Sequence, residues 1–332
     1  MKVLGSLRRW VGGRAGRGVR DPRALALLAV RSSSTTFASA TRVRDPRALA
    51  LLAVLAGCGR PPPRSQFPSG ADALERMKAT YACVNGVQGE AKIDHFGERG
   101  RVRGKADLFL VNPARVRIDV VSPLNTPAFT LTSDGRHFQL ADLANQKFFY
   151  GPASACNLAR LTQVPVPGHA LVYLLRGEAP LLVHETSELT IAWDDGHYRV
   201  TLPSTRGAKQ TVLLDVPDED YEAPWQAQRA RVRGVEVEQQ GVVLYTAELG
   251  RHEPAHTAPP RVDEDGVAPP VPPSGGPCTA PVPRSIRIVV PYTEDDVLFQ
   301  YGDVSLNPPL PEGTFTQPVP SAIEKIFVDC RD

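Results

Sequence analysis

His252, Glu253 and His256 fall within "HEPAH", the spacing at which a helix would place two imidazoles on one face around zinc with a glutamate as base. Pro254 inside the motif, with Pro259 and Pro260 just beyond it, denies the backbone that helix. A solvated loop is expected instead. "GRVRGKA", Gly100 to Ala106, is one residue short between its glycines for a phosphate loop and has Ala106 where a hydroxyl must hold magnesium. Its cations, with Arg99, recur at every second position (Arg101, Arg103, Lys105) and so line one face of a strand. That face reads as solvated, with anionic lipid head groups as the minor alternative. The acidic runs Asp218–Asp220, Asp263–Asp265 and Glu294–Asp296 lack EF-hand spacing and read as turns. Neither GxSxG nor GxGxxG occurs, so no catalytic residue, metal ligand or cofactor is assigned, and an enzyme is not expected.

The chain has five cysteines. Cys83, Cys156, Cys278 and Cys330 are widely spaced with no CxxC pair, which points to two disulfides in an oxidising compartment with three pairings open. Cys58 stands apart, at the end of "LAGC". Before it come Arg42, Arg44 and Arg47 and then the apolar run from Ala48, about half of the roughly 20 residues a membrane-spanning helix needs. This is the layout of a signal peptide over residues 43–57. The stretch "VRDPRALALLAV" occurs twice, as Val19 to Val30 and as Val43 to Val54, but only the second copy leads into small residues and a cysteine. Residues 1–42 are therefore expected to have no folded role. "LAGC" resembles the lipobox of bacterial lipoproteins, which implies cleavage after Gly57 and acylation of Cys58, with membrane lipid as the first partner. Gly59, where aspartate would be the retention signal, implies the outer membrane. The Pro-rich residues 58–70 then read as a tether.

The elements that follow would have to position any site. Net charge is +2, with much of the excess in the arginine-rich leader, so the body is slightly acidic and nucleic acid is not an expected partner. Apolar spacing predicts a helix over 71–84, a short one around Leu158 and Leu161, and one begun by Pro167 and stopped by Gly177. Period-2 alternation predicts strands over 89–96, 101–111, 115–121, 128–133, 137–142, 146–150, 188–193, 197–202, 211–215, 230–238, 242–249, 285–291, 296–301 and 323–328. Prolines concentrated from 254 to 283 are expected to exclude central strands there. The expected class is mainly β with a few helices: one large curved antiparallel sheet over residues 71–332, interrupted by a Pro-rich insert at 252–283.

The stretch "GKADLFLVNPARVRIDVVSPLNTPAFTLTSDGRHFQLADLANQKFFYG", from Gly104, resembles the LolA and LolB superfamily of proteins that carry lipoproteins to the bacterial outer membrane. "VPVPGHALVYLLRGEAP", Val164 to Pro180, is similar to a LolB pattern in which a Pro-Val-Pro helix ends in leucine, arginine and glycine. The resemblance implies a half-open barrel with an apolar concave face and a helical lid, holding acyl chains of lipoproteins. Candidate walls are Val116, Ile118, Val120, Phe129 and Leu131 from the strands and Leu171, Leu174 and Leu175 from the lid. Leu124, in the loop after the Arg-x-Arg strand, matches the position that helps transfer cargo into the membrane. The implied protein is a monomeric lipoprotein on the periplasmic face of the outer membrane, taking acyl chains or meeting a periplasmic lipoprotein carrier. The alternative is an interaction or sensor module of the same fold whose cavity is filled by side chains.

Overall fold

The computed structural model describes residues 60–330 apart from 99, 122–125, 264, 320 and 322. The repeat, the signal peptide, Cys58 and Leu124 lie outside the described residues. From Arg60 onward the chain forms one compact unit.

Among the described residues fourteen strands make one sheet. The first six, β1 (Gly86–Gly97), β2 (Gly100–Val111), β3 (Arg115–Val121), β4 (Pro127–Ser133), β5 (His137–Asp142) and β6 (Lys147–Pro152), run as an antiparallel meander. A helical passage follows, and then β7 (Thr190–Asp194), β8 (His197–Pro203), β9 (Ala208–Asp215), β10 (Arg231–Gln239), β11 (Val242–His256), β12 (Thr279–Val290) and β13 (Asp295–Leu306) form a second meander. Pairing of β13 with β1 fuses the two runs. The order β14-β6-β5-β4-β3-β2-β1-β13-β12-β11-β10-β9-β8-β7 leaves β14 and β7 as unjoined edges. In place of an all-antiparallel sheet, β14 (Glu324–Phe327) pairs parallel with β6. The chain reaches it not by a hairpin but by a long crossing over the outer face, where Gln317 donates to the Thr130 carbonyl at 2.9 Å and Arg117 donates to the Thr314 carbonyl at 3.3 Å.

Three expectations need correction. "HEPAH" is not a loop: it ends β11, with His252 opposite Pro283 and His256 opposite Thr279. Prolines 254, 281 and 283 likewise lie within β11 and β12, and Pro254 faces Pro281 directly. They fit because β10 pairs with β11 only as far as Glu248, and β13 with β12 only from Ser285. Beyond those points the hairpin is two-stranded, each strand has an open side, and a missing N–H breaks no ladder. Finally, the segment read as a tether is docked from Arg60 onward. The Trp193 indole donates to the Arg60 carbonyl at 2.9 Å, the Tyr221 hydroxyl to the Pro61 carbonyl at 3.1 Å, and the Gln228 amide to the Ser65 carbonyl at 2.8 Å. Phe67 is buried with its ring 4.7 Å from that of Tyr198.

The helices lie over the concave face. α1 (Gly70–Thr80) is capped by Ser69, whose hydroxyl accepts from the Asp72 N–H at 3.2 Å, and it buries Ala73, Leu74 and Met77. It stops short of the expected residue 84, although Tyr81 and Val84 remain buried in the turn beyond. α2 (Ala155–Thr162) is capped by Ser154. α3 (Gly168–Arg176) ends at Gly177, whose φ of 101° is left-handed, and a Cβ there would meet Pro283 Cδ at 2.6 Å. One apolar cluster runs from the first meander through α1 and α3 to the second.

Two disulfides settle the pairing left open by the sequence: Cys83 with Cys278, and Cys156 with Cys330. They bridge separations of 195 and 174 residues. In the chain-entropy account each restricts the unfolded chain by roughly 5 kcal/mol.

Candidate functional site

The inner face of the first meander is a cross-strand ladder. Leu108 stands opposite Ile118, Ile118 opposite Leu131, Leu131 opposite Leu140, and Leu140 opposite Phe149. Alternation sends these side chains to one side and Phe109, Arg117 and Asp119 to the other. Of the residues assigned to an acyl-binding wall, Val116, Ile118, Leu131, Leu171, Leu174 and Leu175 are buried together in the larger of two core clusters. Val120 and Phe129, opposite each other nearer the strand ends, are half-buried against it. These side chains share one buried interior, into which α3 packs. Phe138 is fully buried in the same interior.

A polar latch holds α3 down. The Arg176 guanidinium is buried and donates to the Asn112 side-chain oxygen and to the Val84 carbonyl. Its Nη2 also lies 2.7 Å from Glu178 Oε1, an ion pair lacking the alignment of a hydrogen bond. Burial raises the Glu178 carboxyl to about 7 against the opposing pull of Arg176, and burial lowers the Arg176 guanidinium. Tyr301 donates to the Leu175 carbonyl at 3.1 Å. Gln210 fixes the exit of the helix, donating to the Pro180 carbonyl and accepting from the Leu182 N–H, both at 2.9 Å. Sequence reasoning did not assign Arg176, Glu178 and Gln210. Their one signal is the placement of charge and amide among apolar residues, which does not reveal burial.

The other features singled out in the sequence fall elsewhere. Arg101, Arg103 and Lys105 do share one outer face, but acids on β1 answer them: Asp94 pairs with both arginines and Glu90 lies 3.4 Å from Lys105. The hydrogen bond from Arg101 holds Asp94 down to about 2. His252 and His256 are four residues apart on an extended strand, about 13 Å at 3.3 Å per residue, too far to share a metal. Burial lowers the His252 imidazole to about 4. Among the described residues no cluster of three or more histidine, cysteine, aspartate or glutamate side chains is arranged to hold a metal, and no helix is long and apolar enough to cross a membrane. An open cleft of about 760 Å³ lies on the outer face, floored by Phe109, Gln88 and Ser305 and walled by Pro259, Pro260, Pro309 and Pro311.

No protein-family model matches the chain, and no curated protein sequence does. Solved structures similar to it include a LolA superfamily protein from Nitrosomonas europaea, 13% identical with a TM-score of 0.44, covering 75% of this chain and 98% of that one. A putative outer membrane lipoprotein-sorting protein domain from Vibrio parahaemolyticus is 14% identical, with a TM-score of 0.41 and coverage of 74% and 95%. A DUF1329 family protein from Desulfovibrio piger is 10% identical, with a TM-score of 0.45 and coverage of 76% and 97%.

Proposed function

We propose that this chain is a non-enzymatic lipoprotein of the bacterial envelope, acylated at Cys58 on the periplasmic face of the outer membrane, that receives an apolar chain inside its curved sheet. One observation carries the reading: the concave face is closed by short helices and not by the sheet. The edges β7 and β14 are unjoined, and α3, nine residues long, covers the inner ladder. Displacing it would expose a continuous trough lined by Ile118, Leu131 and Leu140, a surface with desolvated apolar walls and no reactive group. Lipoprotein acyl chains, delivered by a periplasmic carrier and passed on by Leu124, fit that description, as in a LolB-type receptor.

A second reading has its own observation. The wall residues are already buried against one another, so the same fold with a filled interior would act as an interaction module in the envelope. Native mass spectrometry of the exported Cys58→Ser protein separates the two. Co-purified or titrated lipopeptide bound at one equivalent, and lost in Leu131→Glu with circular dichroism intact, supports the acyl-chain reading. A protein that stays ligand-free with diacylated lipopeptide in excess supports the module.

A further inference from the structure

The docking of residues 60–67 has a consequence for how an anchored molecule stands. We infer that residues 60–67 form a rigid stem, and that it holds the end of the sheet carrying the β7–β8 turn against the bilayer. The inference rests on the proposed acylation of Cys58.

Only Gly59 separates Cys58 from Arg60. Two Cα–Cα steps of 3.8 Å allow at most about 7.6 Å between the lipidated residue and the docked chain. Arg60 itself is held by three independent contacts: its guanidinium pairs with Asp218 and lies 3.9 Å over the Tyr221 ring, and its carbonyl accepts from Trp193. The backbone N–H of Arg64 then donates to the Tyr221 carbonyl at 3.3 Å, and the Ser65 hydroxyl accepts from the Trp225 N–H at 3.1 Å. A domain on a flexible leash could present any face to the membrane; this one can present only the end beside Arg60.

That end suits lipid head groups. Trp193, Tyr221 and Trp225 are partly exposed there, and amphipathic rings of this kind partition to the membrane interface. Ion pairs neutralise part of the charge around them, Asp194 with Arg199 at 2.6 Å and Asp220 with Arg229 at 2.8 Å, which lowers the cost of approaching an anionic surface, although Asp195 in the β7–β8 turn stays exposed. The opposite end of the strands, where β1 turns into β2, β12 into β13 and β10 into β11, carries exposed Phe96, Tyr292 and Val242. The nine residues of β10 alone put roughly 25 Å of strand between the two ends. The apolar tips therefore face away from the anchoring membrane.

The chain's three tryptophans supply the test, because Trp10 leaves with the leader and the other two, Trp193 and Trp225, both sit at the proposed membrane end. The full-length protein is expressed with its own leader, purified, and reconstituted in phosphatidylethanolamine and phosphatidylglycerol vesicles carrying dansyl-phosphatidylethanolamine. Energy transfer from the two native tryptophans is expected to exceed severalfold the additional transfer gained from a third tryptophan at the far end, in Val242→Trp, which leaves the Trp193 contact with Arg60 in place. Inserting ten Gly-Ser residues after Gly59 is expected to abolish most of the native signal. Equal transfer from both ends, or a native signal unmoved by the insertion, overturns the stem while leaving acylation standing. An intact mass showing no acyl groups on Cys58 overturns the stem and the anchoring together.

Discussion

Glu178 is the residue whose ionisation is set most plainly by where the chain puts it. Its carboxyl titrates near 7 in the folded protein against a normal value of 4.5, because burial disfavours the charged form more than Arg176 favours it. A raised folded value means the native state holds the proton more tightly than the unfolded chain. The stabilising contribution is therefore complete below about pH 4.5 and is lost as pH rises through about 7. Replacing Glu178 by Gln should flatten the decline in melting temperature between pH 5 and 7.5, so that the two proteins differ more at one end of that range than at the other. Parallel melting curves at every pH would refute the assignment. Asn307 is a second residue with more duties than its type suggests. Fully buried at a φ of 50°, it accepts from the Asn85 and Gly86 N–H groups and donates to the Cys83 and Gly276 carbonyls, at 2.7 to 3.3 Å. Alanine there removes four backbone contacts, one of them to the buried Gly86 N–H, and also takes on a left-handed φ, so a loss of about 2 kcal/mol is expected in urea unfolding.

At the scale of elements, strand existence was legible and strand environment was not. "RVRIDVV" alternates so cleanly that β3 occupies the expected residues, and every other expected strand is present within a few residues, with β11 to β13 extended. Alternation reports which side chains share a face, so it put Val116, Ile118 and Val120 together, while it was the family resemblance that implied they line the inner side with Leu131. It cannot report how many neighbours a strand has, and for that reason the expected β11 stops at Leu249 and the expected β12 starts at Ser285, short of prolines that a two-stranded hairpin accommodates. Nor could composition show that a Pro-rich run such as "RPPPRS" would lie flat on the body, since what holds it is a set of carbonyls meeting Trp193, Tyr221 and Gln228, residues more than a hundred positions away. The same limit left the cysteine pairing open. The Cys156–Cys330 bond ties the start of α2 to the tail that carries β14, a strand of four residues paired on one side only. Removing it with Cys156→Ser/Cys330→Ser should speed amide exchange in residues 323–330 and in α2 well before any change in the second meander. Uniform acceleration across the sheet would mean that the tail is integral to global stability.

At the scale of the molecule, the chain's two meanders could in principle be two domains, and the burial of α3 argues that they are one cooperative unit. α3 touches β2 and β3 of the first meander and β12 of the second, while Leu171, Leu174 and Leu175 lie in a cluster that includes Ile118 and Leu131 on one side and Val235 and Ile288 on the other. Neither meander can keep its inner face dry without the helix, and the helix cannot be buried by one meander alone. Pairing of β1 with β13 adds a continuous ladder across the junction. Truncating Leu174 to Ala should therefore destabilise the whole described body by about 2–5 kcal/mol, the usual range for a large core side chain, and not one half of it. The two tryptophans make this measurable, because Trp193 and Trp225 both report on the second meander, whereas far-UV circular dichroism averages over the entire sheet. In the exported Cys58→Ser background, urea curves from the two signals should coincide both with and without Leu174→Ala, and the substitution should shift their shared midpoint. Divergence of the two curves in the variant would show that the meanders unfold separately and that α3 is a lid over one of them, not the keystone between them.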